Sequence, residues 1–105
     1  MEGFWSVAFS GRQGAGYGVV VFNGNRLFGG DSSFYWTGTL KVEGGRLEAT
    51  IRARSHSGHP VPSVLGTSSA DFSFQLVATV PASSEVGATF TASSAGFQAK
   101  LTRRA

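Results

Sequence analysis

The sequence predicts an all-β fold, a single eight-stranded antiparallel up-and-down β-barrel that takes up residues 1–105. Composition is the first observation behind this prediction: 15 of 105 residues are glycine and 12% are aromatic, whereas only 14% are charged, which is typical of sheets and turns rather than helices. The second is a period-two alternation of apolar and polar residues, and the third is the set of short turn signals between the alternating runs. A chain of this length has room for one domain with one core.

Eight runs show the alternation expected of strands with one buried face. The first four are GFWSVAFS, YGVVVF, NRLFGG and SFYWTGTLKV. The last four are RLEATIRAR, DFSFQLVATV, VGATFTA and GFQAKLTRR. The segment 55–69, SHSGHPVPSVLGTSS, is predicted to be a loop with room for one short helical turn. Short connections elsewhere favour an up-and-down barrel over a sandwich.

Two hairpins can be placed from their turn residues. The Asn23-Gly24 pair is a strong signal for a two-residue turn between the second and third strands. With Gly44-Gly45 as the turn between the fourth and fifth strands, opposite charges face each other outside and large residues face small ones inside. A slip of one residue would exchange the two faces. The predicted register pairs Lys41 with Glu48, Glu43 with Arg46, Thr39 with Thr50, Trp36 with Ala53, and Gly38 with Ile51.

The inward positions define the candidate ligand site. They carry large rings on the early strands and alanines on the later ones, and an eight-stranded barrel has room for packed side chains or for one small ligand. The predicted interior consists of Trp5, Phe9, Trp36, Phe72, Phe74, Ala78 and Phe90. The alanines predicted to point inward are Ala49, Ala53, Ala78, Ala88, Ala92 and Ala99. Rings opposite alanines fit either a filled core or a small dry cavity for an apolar guest, and the sequence leaves both open.

The second strand is apolar on both faces, which predicts a protein interface. If Val20 and Leu27 point inward, then Val19, Val21 and Phe28 point outward. A contiguous apolar patch on the outer face suggests a partner, and a two-fold symmetric contact would cover it on both subunits at once. We therefore expect a homodimer that uses Val19, Val21 and Phe28.

Several motifs in chain order resemble a known family. Gly3-Phe4-Trp5 in the first strand looks like the Gly-x-Trp signature of lipocalin-like barrels. Together with GYGVVVFNGNRLFGGD, YWTG and the PSVL of residues 62–65, it resembles the GrlR-like family, negative regulators of bacterial type III secretion. The resemblance covers most of the chain. It implies a small dimeric β-barrel with an apolar cavity and a regulatory role exerted through a protein partner, such as a transcriptional regulator.

The turn between the fourth and fifth strands departs from that family. Members that hold a transcriptional activator are thought to use a run of acidic residues there, whereas this chain has KVEGGR with Glu43 as its only acid. The acidic docking run is missing. The resemblance therefore implies the fold, but it does not imply that particular contact with an activator.

Three candidate sites have simpler explanations. The Gly-Gly-Asp of residues 29–31 suggests phosphate binding, but no helix follows it, so we expect a corner in which Asp31 accepts backbone N–H groups. His56 and His59 have H-x-x-H spacing in a loop without a third ligand in sequence, which favours a solvated loop over a metal site. Asp31 and Asp71 have no spacing that indicates a catalytic triad. We therefore predict no enzymatic activity, no metal and no cofactor.

Charge and cysteine content limit the kinds of partner and the cellular compartment that we expect. The net charge is +3, and a basic stripe of Lys41, Arg46, Arg52 and Arg54 is diluted by two glutamates. Weak binding of single-stranded nucleic acid is the alternative function, and tight binding is not expected. There is no cysteine, no run long enough to cross a membrane and no signal-peptide pattern, so we expect a cytoplasmic protein without a membrane association.

Overall fold

The computed structural model describes residues 1–105, which form ten β-strands. Eight of them build the barrel: β1 (Glu2–Gly11), β2 (Gly14–Asn23), β3 (Arg26–Gly30), β4 (Phe34–Glu43), β5 (Arg46–Ser55), β8 (Asp71–Thr79), β9 (Thr89–Ser94) and β10 (Phe97–Arg103). The other two, β6 (Val61–Pro62) and β7 (Ser68–Ser69), form a separate small hairpin. No helix with the length and apolar character of a membrane span is present.

The eight long strands form a closed antiparallel barrel. Going round it, the order is β1, β10, β9, β8, β5, β4, β3 and β2. Each barrel strand therefore pairs with the barrel strands that precede and follow it in the chain, and β10 pairs with β1 to close the barrel. The predicted all-β, eight-stranded up-and-down barrel is confirmed. We call the end with the β1–β2, β3–β4, β5–β8 and β9–β10 connections the upper end, and the end with both chain termini the lower end.

The register of the hairpin between β4 and β5 is as predicted. Its turn is Gly44-Gly45, both with positive φ, and all five predicted pairs occur. The β2–β3 turn differs by one residue from the prediction. Asn23 pairs with Arg26, so the turn residues are Gly24 and Asn25 instead of Asn23 and Gly24. Gly24 has a φ of 63°, so the position that needs positive φ falls first in the turn, as in a type II′ hairpin.

The segment between β5 and β8 was predicted to be a loop with one helical turn, and the helical turn is wrong. The segment instead forms the β6–β7 hairpin, which folds over the upper end of the barrel. The carbonyl oxygen of Val64 accepts a hydrogen bond from the backbone N–H of Gln13 at 3.4 Å. Val64 and Leu65 pack against the core, so the hairpin covers part of the upper end.

The core lies inside the barrel, where the inward residues of all eight strands meet. Of the six alanines expected inside, Ala49, Ala53, Ala92 and Ala99 are buried, whereas Ala78 and Ala88 are half-buried. Alternation along β4 also predicts Val42 on the inner face, but its side chain is 52% exposed because it lies close to the Gly44-Gly45 turn at the barrel rim. The alternation therefore predicts the inner face well along the strands and fails at the rim.

Candidate functional site

The interior of the barrel contains an apolar cavity of about 250 Å³. Of the 30 residues that line it, 24 are hydrophobic, and they come from all eight barrel strands and from the β6–β7 hairpin. A cavity of about 150 Å³ lined by apolar side chains is sufficient to bind benzene. The space between the inward side chains is larger than that volume.

A set of six aromatic rings surrounds the cavity, and we call it the ring belt. Each ring contacts the next, with ring centroids 5.4–6.1 Å apart, mostly in edge-to-face geometry. In order of contact, the ring belt consists of Trp36, Phe9, Phe97, Phe74, Phe72 and Phe34. Aromatic pairs at such distances and angles are favoured by their quadrupoles, so the belt is a rigid wall rather than a loose lining.

Two glycines of β2 make room for the ring belt. A Cβ atom on Gly16 would lie 2.8 Å from the ring of Phe9, and one on Gly18 would lie 2.6 Å from the ring of Trp36. Both glycines face inward, since their neighbour Val20 is buried and they alternate with exposed residues. The rings of Phe9 and Trp36 thus lie directly on the backbone of β2, which leaves the centre of the barrel free.

The lower boundary of the cavity is a compact aromatic group that we call the plug, formed by Trp5, Phe22 and Phe90. Trp5 has no exposed surface and makes edge-to-face contacts with Phe22 and Phe90 at 6.0 and 5.2 Å. Its Nε1 donates a hydrogen bond to the carbonyl oxygen of Glu2 at 2.9 Å, which satisfies its only polar atom. Phe22 and Phe90 line the cavity, whereas Trp5 does not.

The cavity opens at the upper end of the barrel. Residues that line it and are also solvent-exposed mark the opening, which we call the mouth; they are Ala15, Tyr17, Ser32 and Pro62. They lie at the beginning of β2, in the β3–β4 turn and on β6. The half-buried Val64 and Leu65 of the β6–β7 hairpin close the remaining part of this end.

Asp31 is the single charged residue among those that line the cavity. Its Oδ1 accepts hydrogen bonds from the backbone N–H groups of Ser33 at 2.8 Å and Phe34 at 2.7 Å. This is the corner that the sequence predicted for Asp31, and it fixes the carboxylate at the mouth. Oδ2 accepts no hydrogen bond from the protein and is available to a donor.

The predicted interior set is only partly the cavity lining. Phe9, Trp36, Phe72, Phe74 and Phe90 line the cavity. Trp5 and Ala78 were predicted in the same set, and the structure places both outside the lining. Trp5 is covered by the other two plug rings, and Ala78 is half-buried near the lower end, opposite Leu47.

Sequence reasoning missed two rings and two glycines of this site. Alternation places Phe34 on the same face as Trp36, but neither Phe34 nor Phe97 is in the predicted interior set, although both complete the ring belt. Gly16 and Gly18 were read partly as loop because glycine is depleted in strands. The signal that would have found them is their spacing, which continues the inward alternation of Val20 and Phe22.

The outer face of the barrel carries a second candidate site, which we call the outer strip. It consists of Phe4, Val19, Val21 and Phe28, whose side chains are 39–42% exposed. Phe4, Val21 and Phe28 are direct cross-strand partners on β1, β2 and β3, and Val19 lies two residues from Val21 on the same face. The structure thus places all three residues of the predicted interface on the outside and adds Phe4.

The basic residues of the outer face are partly neutralised by acids. Arg52 donates two hydrogen bonds to the Asp71 carboxylate, at 2.6 and 2.9 Å. These hydrogen bonds lower the pKa of Asp71 and raise the pKa of Arg52 from their ordinary values, even though both side chains are exposed. Lys41 pairs with Glu43 at 3.5 Å and Arg46 with Glu48 at 3.2 Å.

Rings and cations lie together at two places on the outer face. The guanidinium of Arg26 lies 5.3 Å from the ring centre of Phe28. Arg54 is the cross-strand neighbour of the exposed Tyr35, and its buried Nε has no hydrogen-bond partner.

His56 lies against the β3–β4 corner. Its Nε2 is 2.9 Å from the backbone carbonyl oxygen of Asp31, and its ring stacks at a tilt on Tyr35, with 5.7 Å between ring centres. The histidine contacts the backbone of Asp31 rather than its carboxylate. This is the geometry of a loop anchor, and not of a base oriented by an acid.

Fold and site together define a class of protein: a small closed β-barrel with an apolar cavity that is open at one end. Comparison with protein-family models and with curated proteins finds no match for this chain.

Proposed function

We propose that this chain is a non-enzymatic binding protein with a regulatory role, a lipocalin-like barrel that takes up a small apolar ligand and acts through a protein partner. The apolar cavity of about 250 Å³, open at its upper end, is the observation that carries the proposal. The resemblance to negative regulators of type III secretion supports the regulatory part and a cytoplasmic site of action. No pair of side chains described above has the geometry of a nucleophile and its base.

The partner that we propose for the outer strip is a second copy of the chain. Phe4, Val21 and Phe28 lie in one row across three strands and give a flat apolar surface. A two-fold axis through this row would set the apolar centres of two copies against each other and bury both strips in one contact. The acidic run that such regulators use to hold an activator is replaced here by a turn in which Glu43 pairs with Lys41.

The cavity part of the proposal can be tested with a matched pair of alanine variants. Ala78 and Ala92 are cross-strand partners on β8 and β9, but Ala92 is buried in the cavity wall and Ala78 lies outside it. We expect small apolar compounds to raise the melting temperature of the wild type, because a ligand that binds only the folded state stabilises it, by about 2.7 kcal/mol at ~100 times its Kd. Ala92→Leu is expected to remove this effect, and Ala78→Leu to keep it.

The measurement is thermal melting with a panel of small aromatic compounds and fatty acids. If no compound shifts the midpoint of the wild type, the cavity has no ligand role within that panel. If Ala92→Leu alone costs roughly 1–3 kcal/mol by urea denaturation, the interior is already filled and the ligand proposal fails.

The partner part is tested by sedimentation at micromolar concentration. We expect a dimer, and we expect Val19→Lys with Val21→Glu to dissociate it without unfolding, since both side chains are about 40% exposed in one subunit. Ala8→Lys is a matched control on β1, because Ala8 is exposed on the same sheet but outside the outer strip. A wild-type monomer of 11.0 kDa would rule out the second copy.

Single-stranded nucleic acid is the second candidate for the outer face. Arg26 with Phe28, and Arg54 beside Tyr35, are two places where a ring and a cation lie together, and single-stranded nucleic acids are bound by rings and cations of this kind. We expect only weak binding at physiological salt because Arg52 is held by Asp71 and few free cations remain for phosphates. Submicromolar binding to a single strand at that salt, lost in Arg26→Ala and Arg54→Ala, would favour nucleic acid over the protein partner.

A further inference from the structure

The residues that line the cavity carry charge of one sign only. No lysine, arginine or histidine is among the residues that line the cavity, and Asp31 at the mouth is the one charged group. His56 is the nearest histidine along the rim, and its ring contacts the carbonyl oxygen of Asp31 and the ring of Tyr35 on the outer side. A guest therefore meets an apolar interior and a fixed negative charge at the opening.

This arrangement acts against organic anions in two ways. A carboxylate inside the ring belt would lose its hydration without gaining a counterion or a hydrogen-bond donor, which is strongly unfavourable. A carboxylate left in the mouth would face the Asp31 carboxylate, and like charges at short range repel each other. The carboxylate of Asp31 cannot swing away without cost because its Oδ1 holds the amides of Ser33 and Phe34.

Asp31 also favours a guest that carries a hydrogen-bond donor at one end. Asp31 Oδ2 has no partner within the protein, whereas Ser63, another polar residue of the lining, already shares its hydroxyl with Thr67 at 2.8 Å. A hydroxyl group that reaches the mouth from inside the cavity would find Oδ2 as an acceptor. Hydrogen bonds to a charged acceptor are stronger than those between neutral groups.

The size of the cavity limits the guest further. About 250 Å³ exceeds the ~150 Å³ that accepts benzene and lies below the ~300–1,000 Å³ of pockets for drug-sized ligands. The ring belt offers edges and faces to a flat guest. These dimensions fit one fused pair of aromatic rings.

We infer that the cavity selects neutral two-ring aromatic compounds that carry a hydrogen-bond donor, held by Asp31 at the mouth, and that it rejects organic anions of the same shape. This inference rests on the proposed ligand-binding function and names the class of ligand. It sets this barrel apart from carriers of fatty-acid anions, which need a cation for the head group.

Three probes with one ring system test it by isothermal titration calorimetry at pH 7. They are 2-naphthol, 2-methoxynaphthalene and 2-naphthoate, which differ in donor and charge at the same ring position. We expect 2-naphthol to bind at least ~10-fold more tightly than 2-naphthoate, which corresponds to about 1.4 kcal/mol. We expect 2-methoxynaphthalene to lie between them, because it lacks the donor but carries no charge.

Asp31→Asn is the matched variant, since its amide oxygen still accepts the N–H groups of Ser33 and Phe34. We expect it to tighten 2-naphthoate binding and to leave 2-methoxynaphthalene unchanged. Salt provides a second readout on the wild type, because higher ionic strength screens Asp31 and is expected to tighten 2-naphthoate alone.

The outcomes separate the two proposals. If all three probes bind with equal affinity, or if 2-naphthoate binds most tightly, the selection by Asp31 is wrong while the ligand-binding cavity stands. If none of the three binds to the wild type, the ligand-binding function and the selection both fail. Asp31→Asn without any change in relative affinity would also overturn the role of Asp31.

Discussion

The two ends of the barrel use the same kind of side chain for opposite results. Nearer the lower end, Trp5 is fully buried in edge-to-face contact with Phe22 and Phe90, and it lies outside the cavity lining. Nearer the upper end, the six rings of the ring belt lie against the wall and line the cavity of about 250 Å³. The number of rings is larger where the space is larger, so aromatic content alone does not decide whether a barrel is filled.

What differs between the ends is the wall behind the rings. In the upper half of β2, Gly16 and Gly18 let the rings of Phe9 and Trp36 approach the backbone closely. In the lower half of the same strand, Val20 and Phe22 take those positions and project inward. A change from glycine to large side chains along one strand thus moves the rings from the wall to the centre.

The largest expected effect comes from removing the centre of the plug. We expect Trp5→Ala to lower the free energy of unfolding by about 3–5 kcal/mol, because the large buried ring is lost and leaves a void. Trp36→Ala is expected to cost less, roughly 1–2 kcal/mol, since Trp36 already borders open space and is half-buried. Urea denaturation of both variants provides the comparison, and equal losses would mean that the two ends are packed alike.

A second, smaller effect is expected from adding a side chain to Gly16, in the part of the barrel wall behind the ring of Phe9. Gly16→Ala should destabilise by roughly 1–3 kcal/mol because its Cβ would collide with the ring of Phe9. Phe9→Leu in the Gly16→Ala background is expected to recover part of this loss, since the atoms in the way are then gone. A double-mutant cycle measures the coupling, and simple additivity of the two changes would show that Phe9 does not depend on Gly16.

The smallest effect concerns the surface pair near the upper end. Because Arg52 lowers the pKa of Asp71, the pair stabilises the fold above the ordinary aspartate pKa of about 3.9, and this stabilisation is lost as the pH falls through the lowered pKa. We expect Asp71→Asn to lower the denaturation midpoint slightly at pH 7, and we expect its difference from the wild type to shrink as the pH falls below the ordinary aspartate pKa. Glu43→Gln, which removes a more exposed pair, is the control and should have no effect.

Most of the fold could be predicted because alternation and turn residues act locally. The β4–β5 register followed from Gly44-Gly45 and from the charges beside it, and the structure has the same pairs. The β2–β3 turn was misplaced by one residue, since both Asn23-Gly24 and Gly24-Asn25 fit two-residue turns and the choice depends on pairing with β1 and β4. The β6–β7 hairpin could not be predicted because its strands are two residues long.

The site was harder to predict because it depends on what lies across the barrel. Alternation identifies which residues point inward but not where they lie along the barrel axis. Trp5 and Ala78 were therefore grouped with the rings that line the cavity. The shear of a closed barrel brings Phe9 next to Phe97 and Phe97 next to Phe74, and these contacts join distant parts of the chain. Only the three-dimensional structure separates the plug from the ring belt.

Closure of the barrel between β1 and β10 has a kinetic consequence. The rung that pairs Trp5 with Arg103 joins positions 98 residues apart, so the chain must order nearly its whole length before this seam can form. Folds dominated by such distant pairings fold in milliseconds to seconds rather than microseconds. Until the seam closes, both strands expose unpaired edges that can pair with other molecules. We therefore expect the refolding yield to fall as the protein concentration in the refolding mixture rises.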